Sequence, residues 1–396
     1  MNEIIDAELR REAYRDRYAT GLTRNIIAPS VKELSRKLPR LLADYDLETM
    51  SRFELNKLTR AIEREFGGVW SNMWLDITAQ MIELAAFEAE AVAGVYTDFT
   101  GGPFAAPTAE QVEKAAQNAV MTLTTDVATT GAWAEYVRGN TDRASRQIIG
   151  IVREAYANSQ TNAQAVRAIR AAVEGITRTR AEALARTGVS HYANVARDAF
   201  ADANKKLIEG RYLFATLDNR TTTVCFKRHL NFYATGERFP PLPFHYGERS
   251  QYIFKTKNYD PLNTDRPAVG GREGEEAEEA FNRKNDRLDA TRERRAGLRA
   301  DGEKTPATAS KVKYSGRKDL NIFDVQQIPA RTSSDAWLRS QPRWFIEDTL
   351  GPERAKLFID GGLSIDRFAD MTGRELTLKE LYETAAGDRA RRKAKK

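Results

Sequence analysis

The sequence predicts a mainly α-helical, multi-domain chain that carries one small α+β module. Three observations lead there. Apolar residues recur at helical spacing through the first hundred positions: Leu55, Leu58, Ile62 and Phe66, then Trp70, Met73, Trp74, Ile77, Met81, Leu84 and Phe87. A second amphipathic run covers 177–208, with Ala181, Leu184, Ala185, Val189, Tyr192, Val195, Ala196, Ala199 and Phe200 on one face. Strand-prone residues and turn formers then alternate over 211–256, around the proline-rich turn Pro240-Pro241-Leu242-Pro243.

Taken in order, Pro29 and Pro39 bracket a short helix over 31–38. Gly67-Gly68 marks the end of one helix and the start of the next. The aromatic stripe that crosses this point reads as core, or alternatively as a face that docks on a larger assembly. Residues 100–107 form a linker. Thr108-Ala109-Glu110-Gln111 then reads as a capping box. Helices follow over 110–120, 141–156 and 162–172, the last capped by Thr161. The run 177–208 reads as one helix. Gly188 sits mid-run and weakens it unless a neighbour packs closely there.

Glu209-Gly210 stops that helix, and 211–217 reads as a strand, with a strand-and-turn segment over 232–239. From 271 to 313 charged residues dominate and no apolar face is visible, so this stretch reads as a solvated helix or a mobile linker. Short capped helices fill 336–381, stopped at Gly361-Gly362 and started at Ser364 and Thr377. The tail is basic: Arg389, Arg391, Arg392, Lys393, Lys395 and Lys396. These breaks place boundaries at 1–100, 108–210, 211–270, 271–313 and 314–396.

Composition excludes more than it assigns. With 62 Lys and Arg against 56 Asp and Glu in 396 residues, the net charge of +6 is too small to identify a nucleic-acid partner. A single cysteine rules out an intramolecular disulfide and an all-cysteine zinc site. Met1-Asn2-Glu3-Ile4-Ile5-Asp6 lacks the basic and apolar regions of a secretory signal. The most apolar stretch, 69–96, is interrupted by Asp76, Glu83, Glu88 and Glu90, so no membrane span is expected. There is no phosphate-binding loop, nucleophile elbow or His-Glu-x-x-His pattern, and no enzyme is expected.

Several short segments occur in a telling order. They are Ala185-Arg186-Thr187-Gly188-Val189-Ser190-His191 on the long helix, then Thr216-Leu217-Asp218-Asn219-Arg220-Thr221 with Cys225, then Pro240-Pro241 with His245, Arg249 and Ser250. Arg266-Pro267-Ala268-Val269-Gly270 leads out, and a terminal block runs from Trp337 to Leu381. Together they resemble the head morphogenesis domain of tailed bacteriophages, the Mu F-type minor head protein family, over about 175–270 and 335–382. The resemblance implies a minor capsid protein, located in the phage head interior or portal region and in the host cytoplasm during assembly. Implied partners are the portal and the major capsid or scaffolding proteins. Non-specific contact with packaged double-stranded DNA, or a part in its ejection, is implied too, with the basic tail as the contact.

Within the motif, Asp218 and Arg220 are expected to form a charge-assisted pair pinning the strand to the proline-rich loop, with Thr221, His245 and Arg249 completing the unit. Relatives often carry cysteines where this chain has Thr222 and Glu248, which implies a Cys/His metal site in them. Here Cys225, His245 and Glu248 remain, with His229 nearby. Zinc accepts such a mixed set, but a solitary cysteine also serves as a small buried apolar group, and no metal or other cofactor is expected. The rival reading is a metal-dependent, DNA-binding or nuclease-like head protein using Cys225, His229 and His245. A thiol nucleophile at Cys225 is not expected. His191 reads as a half-buried, hydrogen-bonded side chain on the helix.

Overall fold

The computed structural model describes residues 3–124, 128–283, 285–286, 322–370 and 374–395. The architecture is mainly helical, with three small antiparallel sheets among the described residues. Helix α1 (Glu3–Leu22) runs through a π turn (Thr23–Ile27) into α2 (Ala28–Ala43). Pro29 lies in the first turn of α2, directly after the π turn, within one continuous helical run. Pro39 does not end the helix as expected but lies inside it, because Leu34, Leu38 and Leu42 form a fully buried stripe that holds the turn in place.

Ser51 and Glu54 form a reciprocal capping box that starts α3 (Arg52–Thr100), a single helix of 49 residues. Gly67-Gly68 therefore breaks nothing. Two helical glycines cost about 1 kcal/mol each relative to alanine, less than the burial of Phe66, Val69, Trp70, Met73 and Trp74 on either side contributes. The aromatic stripe is core, as expected. Trp70, Trp74 and Tyr96 are at most 2% exposed, so they are closed to a docking partner, and Phe87 alone of the stripe's aromatic side chains stands half exposed.

The capping box of Thr108 and Gln111 starts α4 (Ala109–Asn118) as read. A hairpin then takes the place of the expected helix end: β1 (Val120–Thr124) pairs with β2 (Ala128–Ala132), Val120 opposite Ala132. Helix α5 (Trp133–Ala157) begins eight residues earlier than its periodicity indicated. Helix α6 (Asn162–Ala172), capped by Thr161, falls where the sequence placed it. A π turn (Val173–Thr177) leads to α7 (Arg178–Ala203).

One hydrophobic core gathers residues from Ala19 to Ala196, with α7 packed along α3. Gly188 marks the close approach: a Cβ there would lie 2.5 Å from the Trp133 ring and 2.7 Å from Met81 Cε. Regions 1–100 and 108–210 thus share one core, and the boundary between them divides the chain without dividing the packing.

Strand β3 (Ile208–Phe214) begins earlier than expected, and Glu209-Gly210 lies within it at a bulge instead of stopping a helix. It is the centre of a sheet in the order β4-β3-β5, with β4 (Phe232–Ala234) and β5 (Gln251–Thr256) on its flanks. Between β3 and β4 lies α8 (Thr223–Arg228). Strand β6 (Asp265–Gly271) pairs over its whole length with β7 (Phe323–Pro329), joining the module to the C-terminal block.

A helix over 275–283, α9, drives Ala277, Ala280 and Phe281 into a second core beside Trp344. The opening of the charged stretch is therefore a packed helix and not a linker, because its few apolar residues share one face. The remainder of that expectation, 287–313, lies outside the described residues. The second core is completed by α10 (Ser334–Arg339), α11 (Arg343–Leu350), α12 (Pro352–Ile359), a 3-10 turn (Ile365–Phe368), α13 (Leu378–Glu383) and α14 (Ala385–Lys393). Thr377 caps α13 in a box with Glu380. No described helix is long and apolar enough to cross a membrane.

Candidate functional site

The turn after β3 is built around Asp218. Its carboxylate accepts from the Arg220 backbone N–H at 2.9 Å and from the Thr221 hydroxyl at 3.0 Å. Arg249, 31 residues on, donates to both carboxylate oxygens, at 2.6 and 2.8 Å. Asp218 is 5% exposed. Burial pushes its carboxyl up, but the hydrogen bond and charge of Arg249 outweigh that and hold it below the usual aspartate value. The expected partner, Arg220, is not the clasp: its guanidinium is 73% exposed and its Nε lies 3.7 Å from the carboxylate. A pair two residues apart along one turn cannot bridge to another loop, whereas Arg249 arrives from that loop.

A second link joins the same loop to the long helix. Gly247, at a φ of 72° that favours glycine, turns the chain between His245 and Glu248 and donates its N–H to the Thr187 hydroxyl at 3.3 Å. The loop is anchored behind by Leu242 and Phe244, buried with Leu213 and Tyr252, and by the Tyr252 hydroxyl donating to the Pro240 carbonyl at 2.7 Å.

The third link is a cluster of side-chain donor atoms. Thr222 caps α8, and its Oγ1 lies 3.1 Å from Cys225 Sγ and 3.2 Å from His245 Nε2. Cys225 Sγ lies 3.2 Å from that nitrogen and 3.1 and 3.3 Å from the two Glu248 oxygens. His245 Nε2 and Glu248 Oε2 are 3.1 Å apart. Cys225 and Glu248 are buried, and His245 is partly exposed. Burial first, and then the Glu248 charge, push the Cys225 thiol well above its ordinary value, which is the reverse of what a thiolate nucleophile needs.

His229 does not join this cluster. Its Nδ1 accepts from the Ala215 N–H at 3.3 Å, its Nε2 faces the Arg266 guanidinium at 3.5 Å, and its ring stands edge-on to Phe214. Burial, with Arg266 adding to it, keeps that imidazole neutral. Of the two sets named from the sequence, Cys225, His245 and Glu248 come together, whereas the rival set of Cys225, His229 and His245 does not. His191 is fully buried, not half-buried, and both ring nitrogens lack a hydrogen-bond partner at normal geometry. Burial lowers its pKa to about 4.

A groove of about 570 Å³ adjoins the cluster, between α1, α7 and the module. Arg15, Arg186, Arg220 and Arg249 line it together with Glu12 and Asp16. Beneath it runs a buried charge network that sequence reading missed. Arg197 pairs with Glu8 and donates to the Tyr252 carbonyl, while Arg15 binds Glu88 at 3.1 Å and Gln251 at 2.8 Å. It ties α1 to α3, α7 and β5. Its signal was present in the pattern: Glu88 and Arg197 both sit on helix faces that are otherwise apolar.

The basic tail forms the last turns of α14. Ala390 is buried, the Arg391 guanidinium lies 4.7 Å from the Tyr382 ring, and Arg392 pairs with Asp388 at 2.8 Å. Arg389, Arg391, Arg392, Lys393 and Lys395 face solvent, and Lys396 lies outside the described residues. No family model, curated protein or solved structure matches this chain.

Proposed function

We propose that this chain is a structural minor head protein of a tailed bacteriophage, which binds the portal or inner capsid surface during head assembly and touches packaged DNA through its tail. The observation that supports this most is the convergence of the motif segments. Thr187 meets Gly247, Asp218 meets Arg249, and Thr222 and Cys225 meet His245 and Glu248. Residues that resemble the head morphogenesis pattern therefore act as one clasp, whose chemistry is cohesion and not turnover. The raised Cys225 thiol fits that role.

The nuclease-like reading through Cys225, His229 and His245 loses its third member, since His229 is committed to Ala215 and Arg266. The test is co-expression with the portal and major capsid proteins of the same phage, followed by sedimentation. Co-migration with assembled heads supports the reading, and a free pool that never enters heads refutes it.

A further inference from the structure

We propose that the groove between α2 and α6 holds the phosphate backbone of double-stranded DNA, without reading its sequence, through Lys32, Arg36, Arg40 and Arg170. The site lies in the N-terminal region, away from the motif segments and from the basic tail. The choice of DNA as the duplex rests on the head-protein reading, while the site itself rests on the charges of two helices.

The packing of α2 fixes a row of cations. Val31, Leu34, Leu38 and Leu42 are buried in the core, so the opposite flank of the helix is turned outward. Lys32, Arg36 and Arg40 are exposed and follow one another at intervals of four residues. That spacing sets them on one flank at steps of about 6 Å. Arg170 reaches the same place from α6, where its Nε donates to the Ser35 carbonyl at 3.4 Å. The four side chains line a groove of about 530 Å³, and among the described residues that line it Glu174 is the one acid.

These charges are left unbalanced where others in the chain are not. Lys37, on the same helix, is held by Glu33 at 2.9 Å and by Glu65 at 2.6 Å. Arg343 takes Glu347 and Asp360, and Arg374 takes Asp370 and Glu380. Among the described residues, Lys32, Arg36, Arg40 and Arg170 have no ion-pair partner. Like charges four residues apart on a helix repel, so the row works against α2, and a polyanion in the groove removes that repulsion.

The shape of the charge also selects the ligand. A row suits a repeating anion, since each neutralised phosphate releases condensed counterions. The groove presents no aromatic ring on which an unpaired base could stack, as single-strand sites do. It also lacks the large apolar or aromatic side chain that anchors a protein partner. Contacts confined to phosphates position a duplex and carry no sequence information.

The test uses the full chain and a random-sequence DNA duplex, with affinity measured by fluorescence anisotropy across a salt series. One variant carries Lys32→Gln, Arg36→Gln and Arg40→Gln, which keep helix propensity. A control carries Arg272→Gln, Arg283→Gln and Arg343→Gln, the same loss of charge taken from exposed ion pairs. Circular dichroism checks that both fold. The slope of log affinity against log salt is expected to shrink by about 1 for each cation removed in the first variant, and to stay unchanged in the control. An unaltered slope in the first variant, or an equal change in both, overturns the proposal. Because a variant can fail to fold, hydrogen exchange of the wild-type chain with and without the duplex is read on its own. Slower exchange over 28–43 and 162–172 is expected, and no change in either segment overturns the proposal. Neither readout involves heads, so failure here leaves the head-protein reading standing, and exclusion of the chain from heads leaves this binding as measured.

Discussion

Arg249 holds both oxygens of Asp218, at 2.6 and 2.8 Å, while Arg220, two residues from Asp218 in the chain, stands 73% exposed. The clasp between the β3 turn and the proline-rich loop therefore depends on Arg249. Truncating it leaves a buried carboxylate without its cation, so Arg249→Ala is expected to cost about 2–4 kcal/mol. Arg220→Ala is expected to cost less than about 0.5 kcal/mol, as exposed ion pairs do. Urea midpoints of the two variants decide this, and equal effects would contradict the assignment.

Gly188 and Gly68 make opposite predictions from the same substitution. At Gly188 a methyl group meets Trp133 and Met81 inside van der Waals distance, so Gly188→Ala should destabilise by about 1–3 kcal/mol. At Gly68 nothing lies within 4 Å, so Gly68→Ala should stabilise α3 by about 0.5–1 kcal/mol through helix propensity. Thermal melts check both, and a shift of the same sign at the two sites would show that the α3–α7 packing is wrong.

Acid should weaken the fold through His191. Burial holds its pKa near 4 in the folded chain against an ordinary 6.5. Between those values the unfolded chain binds more protons, so stability is full above 6.5 and falls as pH drops towards 4, by up to about 1.4 kcal/mol per pH unit. His229 is shifted in the same direction, by burial and by Arg266. His191→Leu should flatten the stability curve between pH 6.5 and 5, as measured by chemical denaturation across pH. An unchanged slope would mean that water reaches the ring.

The tail prediction concerns charge and spares packing. Changing Arg389, Arg391, Arg392 and Lys395 to Gln keeps Ala390 docked and removes only exposed contacts to Tyr382 and Asp388, so stability should fall by no more than about 1 kcal/mol. Retention on double-stranded DNA should weaken, and the dependence of log affinity on log salt should shrink by about 0.9 for each phosphate that is no longer neutralised. Filter binding across a salt series measures this. An unaltered slope would place the DNA-binding surface elsewhere, or remove it.

Local signals made much of the fold legible. The Thr161 cap and the repeat behind it place α6 to the residue, and Thr108 with Gln111 places the start of α4. Where packing overrides a local rule, the reading fails: Gly67-Gly68 and Pro39 sit inside helices whose buried faces outweigh the cost. The β1–β2 hairpin was missed because Val120 was taken as the last residue of a helix, and the short run Met121-Thr122-Leu123-Thr124 after it carries too few alternating residues to stand out as a strand. In the site, the residue types were visible and their pairing was not. Cys225, His245, Glu248, Asp218 and Arg249 were all singled out, but pairings that span 20 to 31 residues leave no mark on spacing, so Arg220 stood in for Arg249 as the partner of Asp218, and the rival set kept His229.

The head-protein reading is tested most directly by quantitative mass spectrometry of purified heads, joined to chemical cross-linking. The expected result is a fixed, low copy number of this chain per head, with cross-links to the portal or to the inner face of the major capsid protein. Heads that carry no copies, or copies that wash away without any cross-link to a structural protein, would contradict it.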